Sequence, residues 1–331
     1  MRNTEPDRRA GPARLLTLAG LTTLAALLSP GAAAAQVAQG FALERLVQPA
    51  PGSSFIAHDD LRWPTALGGA VALSLGYAHA PLSLSDGSGQ GQALVVVRHQ
   101  TLADLAFAVT WDRLRFGLRF SSPVYVAGDS GAAQGRLFSG PSSNLEHDPD
   151  ALSDLAISAD WRLMGDDQSP LRFAASAIAY APSGDRAGYA TDGTWRGLLK
   201  LAAAGEAGRV TWAGHLGFHF RPLDDSPTPG SPRGSEVLFG AAVRAPVPVA
   251  GLNLSVGPEV FGATALAASF SNEATALEAL LGARLETVPF AGGSLRLKLG
   301  AGAALHQAFG APEYRVVLGV ELVGSAQAGK E

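Results

Sequence analysis

The stretch Leu67-Gly68-Gly69-Ala70-Val71-Ala72-Leu73-Ser74-Leu75-Gly76-Tyr77 decides how the rest of this chain is read. Leu67, Gly69, Val71, Leu73, Leu75 and Tyr77 fall on one face, and Gly68, Ala70, Ala72, Ser74 and Gly76 on the other. Successive side chains of a strand point to opposite sides, so this segment has one greasy face and one lean face. The same grammar recurs along residues 65–323. Leu105, Phe107, Val109 and Trp111 alternate with Asp104, Ala106, Ala108 and Thr110. After Asp112-Arg113, Leu114, Phe116, Leu118 and Phe120 alternate with Arg115, Gly117, Arg119 and Ser121, and a two-residue connection fixes the register of such a pair. Residues 171–180 are less regular and read as a site for a bulge.

The lean faces carry Gly, Ala and Ser with isolated charges. A water-facing sheet surface would carry more Lys, Glu and Thr. Small residues suit the crowded inside of a narrow barrel. The expected fold class is therefore all-β: a transmembrane antiparallel up-and-down β-barrel of about 12 strands, apolar face to lipid and lean face to the lumen. Connections at Asp112-Arg113, Met164–Ser169, Gly205–Gly208, Pro246–Ala250 and Val288–Gly293 read as short, those at His79–Arg98, Ser122–Ala151 and Pro222–Gly234 as long. Short turns alternating with long loops are what outer-membrane barrels show. Trp111, Trp161, Trp195 and Trp212 fall near the expected membrane edges, as an aromatic girdle would place them.

Composition fits. Forty glycines, 47% hydrophobic and 16% charged residues describe neither an ordinary soluble protein nor a helical membrane protein. A formal net charge of −4 gives no case for nucleic acid, and the lack of Cys removes disulfides and Cys-based metal or redox sites. Residues 1–35 read as a cleaved signal peptide: Arg2, Arg8, Arg9 and Arg14, an apolar run Leu15–Leu28, and Ala33-Ala34-Ala35 before Gln36. Residues 36–64, with Pro49-Ala50-Pro51-Gly52, have no period and are expected at the periplasmic mouth or inside the lumen. Residues 65–323 form the barrel and 324–331 a short tail.

The expected lumen-lining residues are Asp104, Arg115, Arg119, Asp160, Arg162, Arg196, Lys200, His215, His219, Glu236, Arg244, Glu259, Glu278, Arg284, Arg296 and Arg315. Unpaired charges in a narrow barrel are costly, so these should pair across neighbouring strands, either as a structural network or as charge rings of a wet pore. Arg115 and Arg119 beside Asp104 are the leading candidates for either role. His215 and His219 lie roughly 13 Å apart on a strand, too far to share one metal ion. His147, Asp148 and Asp150 read as a solvated acidic loop rather than a calcium site, and Thr191-Asp192 as ordinary rim residues. No Ser/His/Asp set with a local motif is visible, so no catalysis, cofactor or metal is expected.

Several stretches carry a resemblance. Phe41-Ala42-Leu43-Glu44-Arg45 with Pro49-Ala50-Pro51-Gly52, Asp112 to Leu118, and Asp154-Leu155 with Trp161-Arg162-Leu163 are three of them. Phe261 to Leu266, Leu281-Gly282-Ala283-Arg284 and Pro312-Glu313-Tyr314-Arg315-Val316 are the others. Together they resemble the barrel region of myxobacterial OmpA-family outer-membrane proteins. Such relatives often continue into a peptidoglycan-binding domain, which the tail Val323 to Glu331 does not match, so wall anchoring is not expected. The functional expectation is an outer-membrane pore or passive transporter for small polar solutes. Its rivals are a non-conducting structural barrel and, more remotely, a lipid-acting enzyme. Membrane lipid, the barrel-assembly machinery and small solutes are the expected partners.

Overall fold

Alternating apolar and small residues build fifteen strands in the computed structural model, which describes residues 37–38, 40–85, 92–133, 136–142, 151–223, 234–249, 251–272, 274–286 and 293–325. The export-signal reading, the loop with His147, Asp148 and Asp150, the Val288–Gly293 turn up to residue 292, and the tail from residue 326 lie outside the described residues. The strands are β1 (Val37–Ala38), β2 (Gly68–Ser85), β3 (Gln92–Trp111), β4 (Leu114–Ala127), β5 (Gly131–Ala133), β6 (Arg136–Phe138), β7 (Leu155–Met164) and β8 (Leu171–Ala181). They continue with β9 (Arg196–Ala207), β10 (Val210–Phe220), β11 (Glu236–Val249), β12 (Leu252–Ala265), β13 (Thr275–Glu286), β14 (Gly293–His306) and β15 (Tyr314–Ser325).

Twelve of them, β2–β4 and β7–β15, close into one barrel in chain order, with β15 pairing back to β2. Every barrel neighbour is antiparallel, and closure leaves no lateral edge for most of the wall. β1, β6 and β5 form a separate small sheet. Leu198 and Leu199 show what the pleat does: adjacent residues of one type on β9, the first 1% exposed and the second 63%. Exposed Leu73, Leu201, Leu216, Leu281, Leu297 and Leu318 continue the outer apolar surface around the wall. A surface of that extent is stable only against lipid. Trp111, Trp161 and Trp212 sit near the short turns, Trp195 near the opposite end.

Three connections differ from the sequence reading. His79–Arg98 is not a loop: β2 continues to Ser85 and β3 starts at Gln92, with register shifts between His79 and Ser83. Leu82, Leu84, Val96 and Val97 are buried there against Phe41 and Leu43, which rewards extending the strands. Pro81 falls within the irregularity, where no ladder N–H is required. Likewise Pro246 and Pro248 belong to β11. β10 pairs with β11 only as far as Arg244, so these prolines lie where β11 has β12 alone as partner. Ser122–Ala151 is shortened by β4 running to Ala127 and interrupted by β5 and β6. The irregularity expected in residues 171–180 falls on the partner strand, where Leu163 of β7 is skipped between Arg162↔Ala174 and Met164↔Phe173.

Candidate functional site

Residues 40–64 form no helix or strand, yet most of them are buried. Phe41 and Leu43 pack with Tyr189, Phe138 and Phe309 at the end of the barrel that carries the long connections. Leu46, Ile56 and Ala57 meet Phe261, Leu280 and Val317 on the wall. Phe55, Leu61 and Trp63 meet Ala174, Ala202, Ala204, Ala213 and Ala242. Trp63 lies beside Arg162, which also bonds the Asp112 carbonyl at a short turn. The segment therefore runs through the lumen from one end to the other. The small residues of the lean faces make the room: a Cβ on Gly240 would come within 2.5 Å of His58 Nε2, and one on Gly300 would overlap the Ile56 Cδ1 methyl.

The wall's charges hold this segment. Arg115 pairs with Asp160 on the neighbouring strand at 2.8 Å and with Asp59 of the segment, its guanidinium 4.3 Å above the Trp63 ring. Glu259 accepts from the Ile56 and Ala57 N–H groups at 2.9 and 2.8 Å, faces His58 Nδ1 at 3.2 Å and pairs with Arg244 at 3.2 Å. Glu236 pairs with Arg45 at 2.9 Å and Arg221 at 3.0 Å. Arg315 joins Glu278 and Glu44, both at 2.8 Å. Arg162 donates to the Trp63 carbonyl at 2.7 Å, Arg296 to that of Gly52 at 2.5 Å, and Arg284 to Ser54 Oγ at 2.6 Å. Arg119 donates to the carbonyls of Gln48 and Pro49 at 3.2 and 2.8 Å. Arg196 pairs with Asp154 at 2.8 Å and lies over Tyr180.

Pairing across strands is thus half of the arrangement; the other half is pairing to the segment. Asp104 does not pair with Arg115 or Arg119. It accepts from Gln48 Nε2 at 3.1 Å, Ser74 Oγ at 3.2 Å and Ser121 Oγ. His215 lies 4.9 Å, ring to ring, from His58, while His219 faces Glu236 and Tyr180. The two histidines do not come together. Among the described residues no group of three or more potential metal ligands is present. Lys200 is buried with no hydrogen bond or ion pair among the described residues.

Several participants carry no periodic signal. Thr191-Asp192 is not an ordinary rim pair: Asp192 is fully buried, accepts from the Ala42 N–H at 2.8 Å, and receives Arg221 Nε and Nη2 at 2.8 and 2.7 Å. Burial alone would push the Asp192 carboxyl up, but the Arg221 bonds and charge outweigh it and hold it at about 2. Arg172 bonds the Asp60 carbonyl at 2.9 Å and pairs with Glu206 at 2.6 Å. Lys298 bonds the Phe55 carbonyl and pairs with Glu321 at 2.7 Å. Position on a lean face was the available signal for Arg172, Lys298 and Glu321. Asp59, Asp60 and Arg45 lie in an aperiodic stretch that offered none.

Beside the segment a cavity of about 140 Å³ remains, between residues 42–51 with Asp59 and the wall from β2 to β11, with Arg315 of β15. No protein-family profile matches the chain, and no characterised sequence matches it. An outer membrane channel from Pseudomonas putida F1 superposes with a TM-score of 0.53 at 16% identity, covering 83% of this chain and all of that one. The NanC porin superposes with a TM-score of 0.47 at 7% identity, covering 77% of this chain and all of that one. The fold is that of a closed outer-membrane channel barrel. At such identities the likeness carries the fold alone.

Proposed function

We propose that this chain is a pore of the bacterial outer membrane for small polar solutes, with a lumen narrowed by its own residues 40–64. The observation that supports this is the cavity left beside the segment, whose lining carries charges of both the segment and the wall. Charged linings are what pores use to admit water and select solutes. In this reading residues 1–35 are the export signal, the barrel-assembly machinery inserts residues 65–323, and the tail is dispensable for passage. Kinship with the barrel region of OmpA-family proteins rests on the strand stretches quoted above and belongs to the same reading.

A second reading has its own support: the segment runs the length of the lumen and is bonded along its whole course, as in a non-conducting structural barrel. Liposome swelling separates the two. A pore narrowed to this degree admits glycine-sized solutes and excludes disaccharides. A folded protein that admits neither is the structural barrel.

A further inference from the structure

The cavity beside the segment has an unbalanced set of hydrogen-bonding groups. Each carboxylate that lines it is already engaged. Arg115 holds Asp59 and Asp160, Arg196 holds Asp154, Arg45 and Arg221 hold Glu236, and Arg315 holds Glu44. Asp104 is satisfied by Ser74, Ser121 and Gln48, all uncharged. The cations are treated differently. Lys200, on the β9 wall, is buried and has no hydrogen bond or ion pair among the described residues. Asp59 senses its charge, but that carboxylate is bonded to Arg115. Arg119 spends only Nη2, on two backbone carbonyls, and leaves Nε and Nη1 without partners among the described residues. Gln100, also buried in the lining, has no side-chain bond among the described residues, and His219 Nε2 is a buried atom without one there.

A buried ammonium without a partner is expensive, and an arriving anion would lower that cost. Two lining cations lack a carboxylate, against one carboxylate, Asp104, that lacks a cation. As many carboxylates as cations line the cavity, because Arg115 alone serves both Asp59 and Asp160; the surplus is local, at Lys200 and Arg119. Leu46, Val47, Leu102, Ile178 and Leu238 supply apolar patches of the same lining. A cavity of about 150 Å³ admits a benzene-sized group, so this one has room for a compact organic body. We propose that the cavity is a binding site for a small organic monocarboxylate, its carboxylate on Lys200 and Arg119 and its apolar body against the Leu46 and Ile178 side of the wall. This names the solute class for the pore reading and rests on it only in sharing the same lumen, since binding is measured without flux.

The test is isothermal titration of the detergent-solubilised protein with benzoate, benzyl alcohol and inorganic phosphate. Benzoate should bind about tenfold or more tightly than benzyl alcohol, the margin expected of one charge-assisted contact. Lys200→Met should erase that margin, and Lys200→Arg should keep most of it. Because Lys200 has no partner to orphan, Lys200→Met should fold, and heat-shifted migration on a gel checks this. Equal affinity for benzoate and benzyl alcohol overturns the site, as does unchanged benzoate binding in folded Lys200→Met. Phosphate binding as tightly as benzoate overturns it too, because the apolar patches would then contribute nothing. A protein that binds benzoate but admits no glycine in swelling assays loses the pore reading and keeps the site. One that admits glycine and ignores benzoate does the reverse.

Discussion

The barrel wall and the segment inside it are organised by different physics. The wall is a repeat: its strands present apolar side chains outward and mostly small or charged ones inward, and the backbone ladder runs from each strand to the next. The segment has no repeat and no strand neighbours of its own between residues 40 and 64. Its backbone is satisfied instead by side chains of the wall, as where Glu259 takes the Ile56 and Ala57 N–H groups and Arg162 takes the Trp63 carbonyl. The wall's inward charges therefore serve as the hydrogen-bonding partners that a strand would otherwise have supplied.

That contrast can be broken at chosen points. Arg115→Ala has the largest expected effect, because it removes the guanidinium that bonds both Asp59 on the segment and Asp160 on the wall. A loss of about 3–5 kcal/mol is expected in urea unfolding followed by heat-shifted migration. An effect below 1 kcal/mol, roughly that of an exposed pair, would mean that the segment is not seated there. Leu297→Arg addresses the wall alone. A charge on that lipid-facing position should cost roughly 2–4 kcal/mol and lower the membrane-inserted yield; normal assembly would deny the face to lipid.

Gly300→Val addresses the boundary between the two. Its side chain would overlap Ile56, so the segment should loosen at a cost of about 1–3 kcal/mol while the wall stays closed. Limited proteolysis should then cut within residues 52–60 of a barrel that still migrates as folded.

The Asp192–Arg221 clasp, which also holds the Ala42 N–H, sharpens the comparison by pH. The Asp192 carboxyl is held at about 2, below its ordinary 3.8. The stability it contributes is therefore complete above the ordinary value and is lost as pH falls toward 2. Asp192→Asn should be less stable at neutral pH, and the difference from the unaltered protein should shrink across that acid window. A difference that stays constant below pH 3 would contradict the clasp. Arg119→Ala has the smallest expected effect on stability, within about 1 kcal/mol, since its bonds go to two carbonyls. Its effect should instead be on ion selectivity, read as a shift of reversal potential in a salt gradient.

The wall was legible in the sequence because a period of two survives along most of its strands: Leu67 to Tyr77 and Leu105 to Phe120 place each side chain without knowledge of the rest. Strand ends were less so. Leu94, Val95, Val96 and Val97 have strand character, but it took Phe41 and Leu43 packing on them to extend β2 and β3 beyond His79 and Arg98. The segment was illegible for a different reason. Nothing in Phe55-Ile56-Ala57-His58-Asp59-Asp60 says which wall residues meet it, because that depends on closure of strands far away in the chain. The same is true of Asp192, which looked like any rim aspartate until Arg221 and Ala42 were placed beside it.

The most direct test of the account is single-channel conductance in a planar bilayer, comparing the full chain with a form lacking residues 41–64, both checked as folded by heat-shifted migration. If the segment fills the lumen, the shortened form should open steps several-fold larger than those of the full chain. Steps of the same size in both forms would show that the lumen is not limited by this segment and would contradict the account.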